Sequence, residues 1–275
     1  MNFKEKVKHA QQQSNSLLCV GLDSDIAKIP ESIRRIENSL FEFNKQIIDA
    51  TKDLVCAYKL NAAFYEAAGE AGWAAMKKTV AYIPKNLVTI GDGKRGDIGN
   101  TSASYAKVFF NDCGFDAMTV NPYMGRDSVE PFLQSPEKGV FLLVVTSNTG
   151  AKDFQYLKVG KKYLYEKIVE KALRWNINEN IGFVIGATKP KQLQTIRKKA
   201  PTVPLLIPGI GAQGGDLRAT IRYGCDKRGA MALINASRSI IYASGGLDFA
   251  EAARREAQKL RDEMNRYRKD FFHNQ

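Results

Sequence analysis

Histidine is almost missing from this chain. Its 275 residues include two, His9 and His273, one near each end. That argues against an interior histidine base, a Ser-His-Asp triad and a histidine-built zinc site. Acid–base work then falls to Lys, Asp, Glu, Cys or Tyr. Cysteine is scarce too. Cys19, Cys56, Cys113 and Cys225 form no C-x-x-C pair, and the first two sit inside apolar runs. They read as buried, reduced thiols of a cytoplasmic protein. Long hydrophobic runs are absent, the longest strong one being Val140 to Val145, which suits a strand and is too short for a bilayer. The opening Met1-Asn2-Phe3-Lys4-Glu5 has no signal-peptide core. No membrane partner is therefore expected.

What is present describes an ordinary globular protein, 44% hydrophobic and 25% charged. The formal net charge is +12. Such an excess suits nucleic acid, an anionic surface, an anionic small substrate or solubility alone. The basic residues are scattered along predicted helices with no aromatic-interleaved patch, so no nucleic-acid partner is expected.

Apolar runs and helical spacing alternate along the whole chain. Strands are predicted over 17–22, 54–60, 87–90, 116–120, 140–146, 181–185, 204–207 and 230–234. Helices are predicted between them, notably over 31–52, 62–82, 102–111, 126–134, 161–175 and 216–223, with Pro190 opening another. A polar segment, 2–13, precedes the first strand and can cover one end of a barrel. A charged helix over about 248–270 closes the chain. Eight strand–helix units with right-handed crossovers predict an α/β fold, a (β/α)8 TIM barrel forming one domain over 1–275. The competitor is an open doubly wound sheet. It favours G-x-G-x-x-G after the first strand, where this chain has Gly21-Leu22-Asp23-Ser24.

The polar residues then share an address. Asp23, Lys59, Asp92, Lys94, Asn121, Ser147, Gln213 and Arg238 all fall at or just after predicted strand ends, the rim where barrel active sites lie. The stretch Asp92-Gly93-Lys94-Arg95-Gly96-Asp97 puts two carboxylates and two cations into six residues. Asp92 and Lys94, two apart on an extended strand, face the same way. Asp97 follows in a turn that Gly93, Gly96 and Gly99 leave flexible. Read alone, the stretch is also an ordinary solvated turn; its position at the rim favours a site. Lys59, Asp92, Lys94 and Asp97 would alternate in sign, each lysine holding an aspartate ionised and the reverse. A pair about 4 Å apart interacts by roughly 4 kcal/mol at an effective dielectric of about 20. Such a fixed array suits a reaction in which charge develops at one carbon and a proton quenches it, with Lys94 as the acid and no metal. The seventh loop holds four glycines between Gly209 and Gly215, and Arg238 follows the eighth strand; together they suit a phosphate.

These residues resemble the orotidine 5'-phosphate decarboxylase family. Asp92-Gly93-Lys94-Arg95-Gly96-Asp97-Ile98-Gly99-Asn100-Thr101 is similar to the family's D-x-K-x-x-D-I-x-x-T, in the form of its longer bacterial subgroup. Asp23, Lys59, Ser147, Pro208 to Gln213 and Arg238 match in order, and the resemblance runs from about Leu17 to Gly245. It implies decarboxylation of orotidine 5'-phosphate to uridine 5'-phosphate with no cofactor and no metal. By the same resemblance Lys94 would protonate C6 and Asp92 would lie beside the substrate carboxylate. Lys59 would bridge ribose and aspartate, and Asp23 would bind the ribose. Ser147 would read the pyrimidine, and Pro208, Gln213 and Arg238 would line the ring and phosphate end. Asp97, Ile98 and Thr101 would enter the neighbouring subunit's site, implying a homodimer with shared active sites. The alternative is a Mg²⁺-dependent sugar-phosphate decarboxylase or aldolase of the same superfamily. Those enzymes carry a metal-binding Glu where this chain has Lys59. A phosphate-binding barrel without activity would lack Lys94 or one of its charged partners.

Overall fold

The computed structural model describes residues 1–210 and 214–272. Eight parallel strands close into a barrel: β1 (Leu18–Gly21), β2 (Ala57–Asn61), β3 (Val88–Arg95), β4 (Ala117–Val120), β5 (Gly139–Val145), β6 (Ile181–Ile185), β7 (Leu205–Pro208) and β8 (Ala232–Ala236). Each pairs with its sequence neighbours, and β8 returns to β1 through Leu18 opposite Ile234. This is the predicted (β/α)8 barrel. The open sheet is ruled out because no strand is left at an edge.

The period of two along each strand sorts the side chains. Cys19, Ala57, Val88, Ile90, Ala117, Phe141, Val184, Leu206 and Leu233 fill the interior. Their neighbours in sequence, such as Val20, Tyr58, Met118 and Ile234, pack outward under the helices. Near the C-terminal ends the interior turns polar, because Lys59, Asp92, Thr119 and Asn235 continue the same inward rows. Several strands run further than their apolar residues predict. β3 extends to Arg95 and β7 to Pro208, so Asp92, Lys94 and Pro208 are strand residues.

The opposite end is plugged. Helix Phe3–Ser14 starts at a capping box made by Asn2 and Glu5. It lays Phe3 edge-on against Phe141, with centroids 5.7 Å apart. A Cβ on Gly139 would fall 2.3 Å from the Phe3 ring, so the plug needs glycine there. Gln11 donates to the Ala232 carbonyl (2.8 Å) and accepts from the Met231 N–H (3.0 Å). Helix Phe249–Phe272 straps the outside, with Phe249 stacked on Phe43 at 5.2 Å.

Two predicted helices are each broken in two. The 31–52 segment divides into Glu31–Arg34 and Ser39–Thr51 because Asn38 is left-handed, φ 57°. The 62–82 segment divides into Ala62–Ala67 and Gly69–Tyr82 at Gly69, φ 63°. A small antiparallel hairpin, Lys158–Val159 with Lys162–Tyr163, was not predicted, and the following helix begins at Leu164. Strands of two residues carry no alternation to read. Among the described residues no helix is long and apolar enough to cross a membrane.

Candidate active site

The C-terminal rim holds a cavity of about 190 Å³ lined by Asp23, Lys59, Asn61, Asp92, Pro208 and Arg238, among others. Lys59 is its buried centre. It stands on β2 two residues beyond Ala57, so it points inward, and its side chain is 5% exposed. Its ammonium lies 3.2 Å from Asp23 Oδ1 and 3.1 Å from Asp92 Oδ2. Burial alone would push this lysine down; Asp23 and Asp92 outweigh it and hold the ammonium well above the usual lysine range. Asp92 also accepts from Lys94 Nζ at 2.7 Å. Burial would raise this carboxyl, but Lys59 and Lys94 hold it far below the usual carboxylate range. The result is one chain of alternating charge: Asp23, Lys59, Asp92, Lys94. Lys94 is its most exposed member, with a side chain 48% accessible.

The motif reaches this arrangement through an irregular strand. Gly91 pairs with Met118 and Arg95 with Val120, so Asp92, Gly93 and Lys94 face the single residue Thr119. A bulge of this kind re-aims side chains. Lys94 itself adopts φ 48°, left-handed for a residue with a side chain. Beyond the bulge the strand is anchored outward. The Arg95 guanidinium pairs with Glu66 and lies over the Tyr105 and Phe109 rings, 5.3 and 5.7 Å from their centroids. The glycines are steric rather than loosening: a Cβ on Gly91 or Gly93 would sit 2.5 or 2.8 Å from the Phe109 ring. Only Gly99, φ 51°, needs glycine for its backbone angle. Under the array lies Cys19, its Sγ 3.6 Å from Asn235 Oδ1; burial pushes that thiol well above its usual value and leaves it inert.

The other sequence candidates are less converged. Asp97 does not join the array of its own chain. Its Oδ1 accepts from the Ile98 N–H at 2.7 Å, and among the described residues it makes no ion pair with Lys94. Ile98 is 57% exposed, and Thr101 lies exposed in helix Gly99–Lys107. Ser147 is half-buried against Gly186, outside the cavity lining. Pro208 and Arg238 line the cavity, Arg238 at the start of the short helix Arg238–Ile241. Gln213 lies outside the described residues. Asn61, Thr119 and Asn235 were not singled out from the sequence. Each sits two residues beyond an inward-facing one, which is the signal that finds them.

Fold and rim together define a (β/α)8-barrel enzyme. A sequence model of the orotidine 5'-phosphate decarboxylase / HUMPS family matches residues 16–255. The orotidine 5'-phosphate decarboxylase of Dehalococcoides mccartyi (strain CBDB1) is 50% identical over 275 residues, covering 98% of this chain and all of that one. The solved OMP decarboxylase of Leishmania donovani superposes with a TM-score of 0.84 at 38% identity, covering 98% of this chain and 99% of that one. The L. donovani UMP synthase superposes at 0.86 and 40% identity, covering 98% of this chain and 57% of that longer one. The chain belongs to the orotidine 5'-phosphate decarboxylase family and is an enzyme, a carboxy-lyase.

Proposed function

We propose that this enzyme converts orotidine 5'-phosphate to uridine 5'-phosphate in the cytoplasm, without a metal, as one barrel domain spanning 1–275. The observation that carries the reading is the alternating array Asp23–Lys59–Asp92–Lys94 at the mouth of the rim cavity. The bond from C6 to the carboxylate carbon breaks, and its electron pair stays on C6. The pair lies in the ring plane, with no neighbouring electron sink, so a placed ammonium serves better than covalent chemistry. Lys94 gives C6 its proton and, being half-exposed, regains one from solvent. Asp92 lies beside the substrate carboxylate and holds the Lys94 ammonium in place at 2.7 Å. Lys59 and Asp23 hold the ribose, and Ser147 reads the pyrimidine edge. Arg238, with Pro208 and Gln213, holds the phosphate end. Binding energy gathered there is spent at the distant carbon.

The array itself speaks against a divalent cation. Both carboxylates lie 3.1–3.2 Å from the Lys59 ammonium, which a cation would have to displace. The Mg²⁺-dependent sugar-phosphate reading requires an acid where Lys59 stands. The enzyme acts as a homodimer in which Asp97, Ile98 and Thr101 complete the partner's site. In support, Asp97 makes no ion pair with its own Lys94 among the described residues, and Ile98 is an exposed apolar side chain on the rim.

The test is loss of orotidine 5'-phosphate absorbance with and without EDTA. Equal rates are expected. No turnover would remove the reading, and a rate lost to EDTA and restored by Mg²⁺ would move it to the metal-dependent class.

A further inference from the structure

We propose that Thr119 is a positioning residue for the decarboxylation, a hydroxyl that closes the β3 bulge and thereby aims both Asp92 and Lys94. The inference rests on the reaction proposed above. Three residues of β3 face Thr119 alone, so Lys94 has lost its regular ladder partner on β4. Its backbone N–H is accepted instead by Thr119 Oγ1 at 2.9 Å. The same Oγ1 donates to Asp92 Oδ1 at 2.9 Å, and that oxygen also accepts from Lys94 Nζ at 2.7 Å. The bonds make a closed ring, from the Lys94 backbone through Thr119 and Asp92 to the Lys94 ammonium.

The ring has chemical consequences. A hydroxyl has one proton. With its oxygen accepting the Lys94 N–H, that proton is directed at Asp92. Asp92 Oδ1 then holds two donors and Oδ2 holds Lys59, which fixes the carboxylate plane. The N–H bond also holds Lys94 at φ 48°, a conformation that needs support from its surroundings. Thr119 is 1% exposed and lies two residues beyond the inward-facing Ala117, so it reaches the reacting groups only from beneath. A cavity-lining role is not needed to explain it; its two bonds use the hydroxyl's one proton and one of its two acceptor positions.

The test compares Thr119→Val, Thr119→Ala and Thr119→Ser, with thermal melts confirming folding. Valine keeps shape and volume but has no hydroxyl. Displacement of a reacting group by about 1 Å costs on the order of 10²-fold in rate. The valine variant should therefore lose about that factor in kcat, with KM within about threefold, because the phosphate and ribose contacts are untouched. Serine restores the hydroxyl and should recover kcat to within about threefold of wild type. If valine fails to fold, alanine takes its place in the comparison with serine. A kcat for the hydroxyl-free variant equal to that of serine, or a loss confined to KM, would overturn the inference. An inactive wild-type enzyme would instead remove the reaction on which it rests.

Discussion

The two ends of the barrel bury cations for different purposes. The N-terminal face has the larger cavity, about 930 Å³ against about 190 Å³ at the rim. It is also the more basic, with Lys4, Lys8, Arg197, Lys198, Lys227, Arg228 and Arg268 in its wall. Size and charge alone would choose that end over the rim. The Arg197 guanidinium donates to the carbonyls of Gly224, Ala200, Pro201, Val203 and Met231, at 2.6–3.4 Å. Asp226 Oδ1 accepts from the backbone N–H groups of Arg228 and Ala230. These groups tie together the loops that lead into β7 and β8. At the rim, Lys59 is as buried but faces two carboxylates and an open cavity. The titration shifts separate the two cations. Burial, only weakly opposed by Cys225 and Asp226, pushes Arg197 down to about 10. Lys59 is burdened by burial too, yet its carboxylates carry it upward. A buried cation satisfied by carbonyls is a clasp. One balanced by carboxylates beside a cavity is preorganised for charge that arrives later.

The largest expected effect breaks the rim alone. Lys94→Ala should lower kcat/KM by about 10³-fold or more, since both the acid and a fixed charge are removed. Its thermal midpoint should hardly move, the side chain being half-exposed. Asp97→Ala should be similarly inactive by itself. Exchanged subunits of the two variants should regain roughly a quarter of wild-type activity, because half the dimers carry one intact site. Verified mixed dimers with no recovery would place Asp97 in its own subunit's site.

The converse breaks the other end. Arg197→Met takes the donor from the carbonyls of Gly224, Pro201 and Val203, whereas Ala200 and Met231 keep the backbone N–H groups of Val203 and Leu205; each loss costs about 1–3 kcal/mol where no water enters. Urea unfolding should show a loss of about 3 kcal/mol or more, with kcat per folded molecule unchanged. A large drop in kcat with stability intact would erase the distinction between the two ends.

The smallest effect is an expected silence. The Asp92 carboxyl is depressed, so its stabilising contribution is present above its ordinary value of 3.8 and is lost as pH falls below it. The Lys59 ammonium is raised, so its contribution is complete below 10.5 and is lost only as pH rises towards its elevated value. From about pH 5 to pH 9 neither group should add a slope to stability. A slope in that window that disappears in Lys59→Met would mean the array titrates where both shifts say it does not.

The sequence carried the eight-fold alternation, the rim address of the charged residues and the motif, because strand burial and i, i+2 spacing are local properties. Asp92 and Lys94 do meet, at 2.7 Å, but through the β3 bulge and the left-handed Lys94 rather than through the regular alternation that their spacing implied. What it did not carry were the breaks and the reach of the elements. Asn38 and Gly69 divide helices whose apolar spacing runs on without a gap. β3 continues through charged residues because β2 and β4 pair with its backbone, whatever side chains it bears.

By itself the sequence determined the barrel, the set of charged groups and the family, since each rests on a repeated pattern or a run of residues in order. The tertiary structure alone decided which charges meet. Asp23, Lys59 and Asp92 come from three strand ends far apart in the chain, and their separations follow from strand register. It also decided that Asp97 stands apart from its own array, that Thr119 rather than a ladder carbonyl receives the Lys94 N–H, and that the guanidinium in the larger basic cavity is clasped by carbonyls. Each of these depends on direction and distance between segments, and a local pattern carries neither.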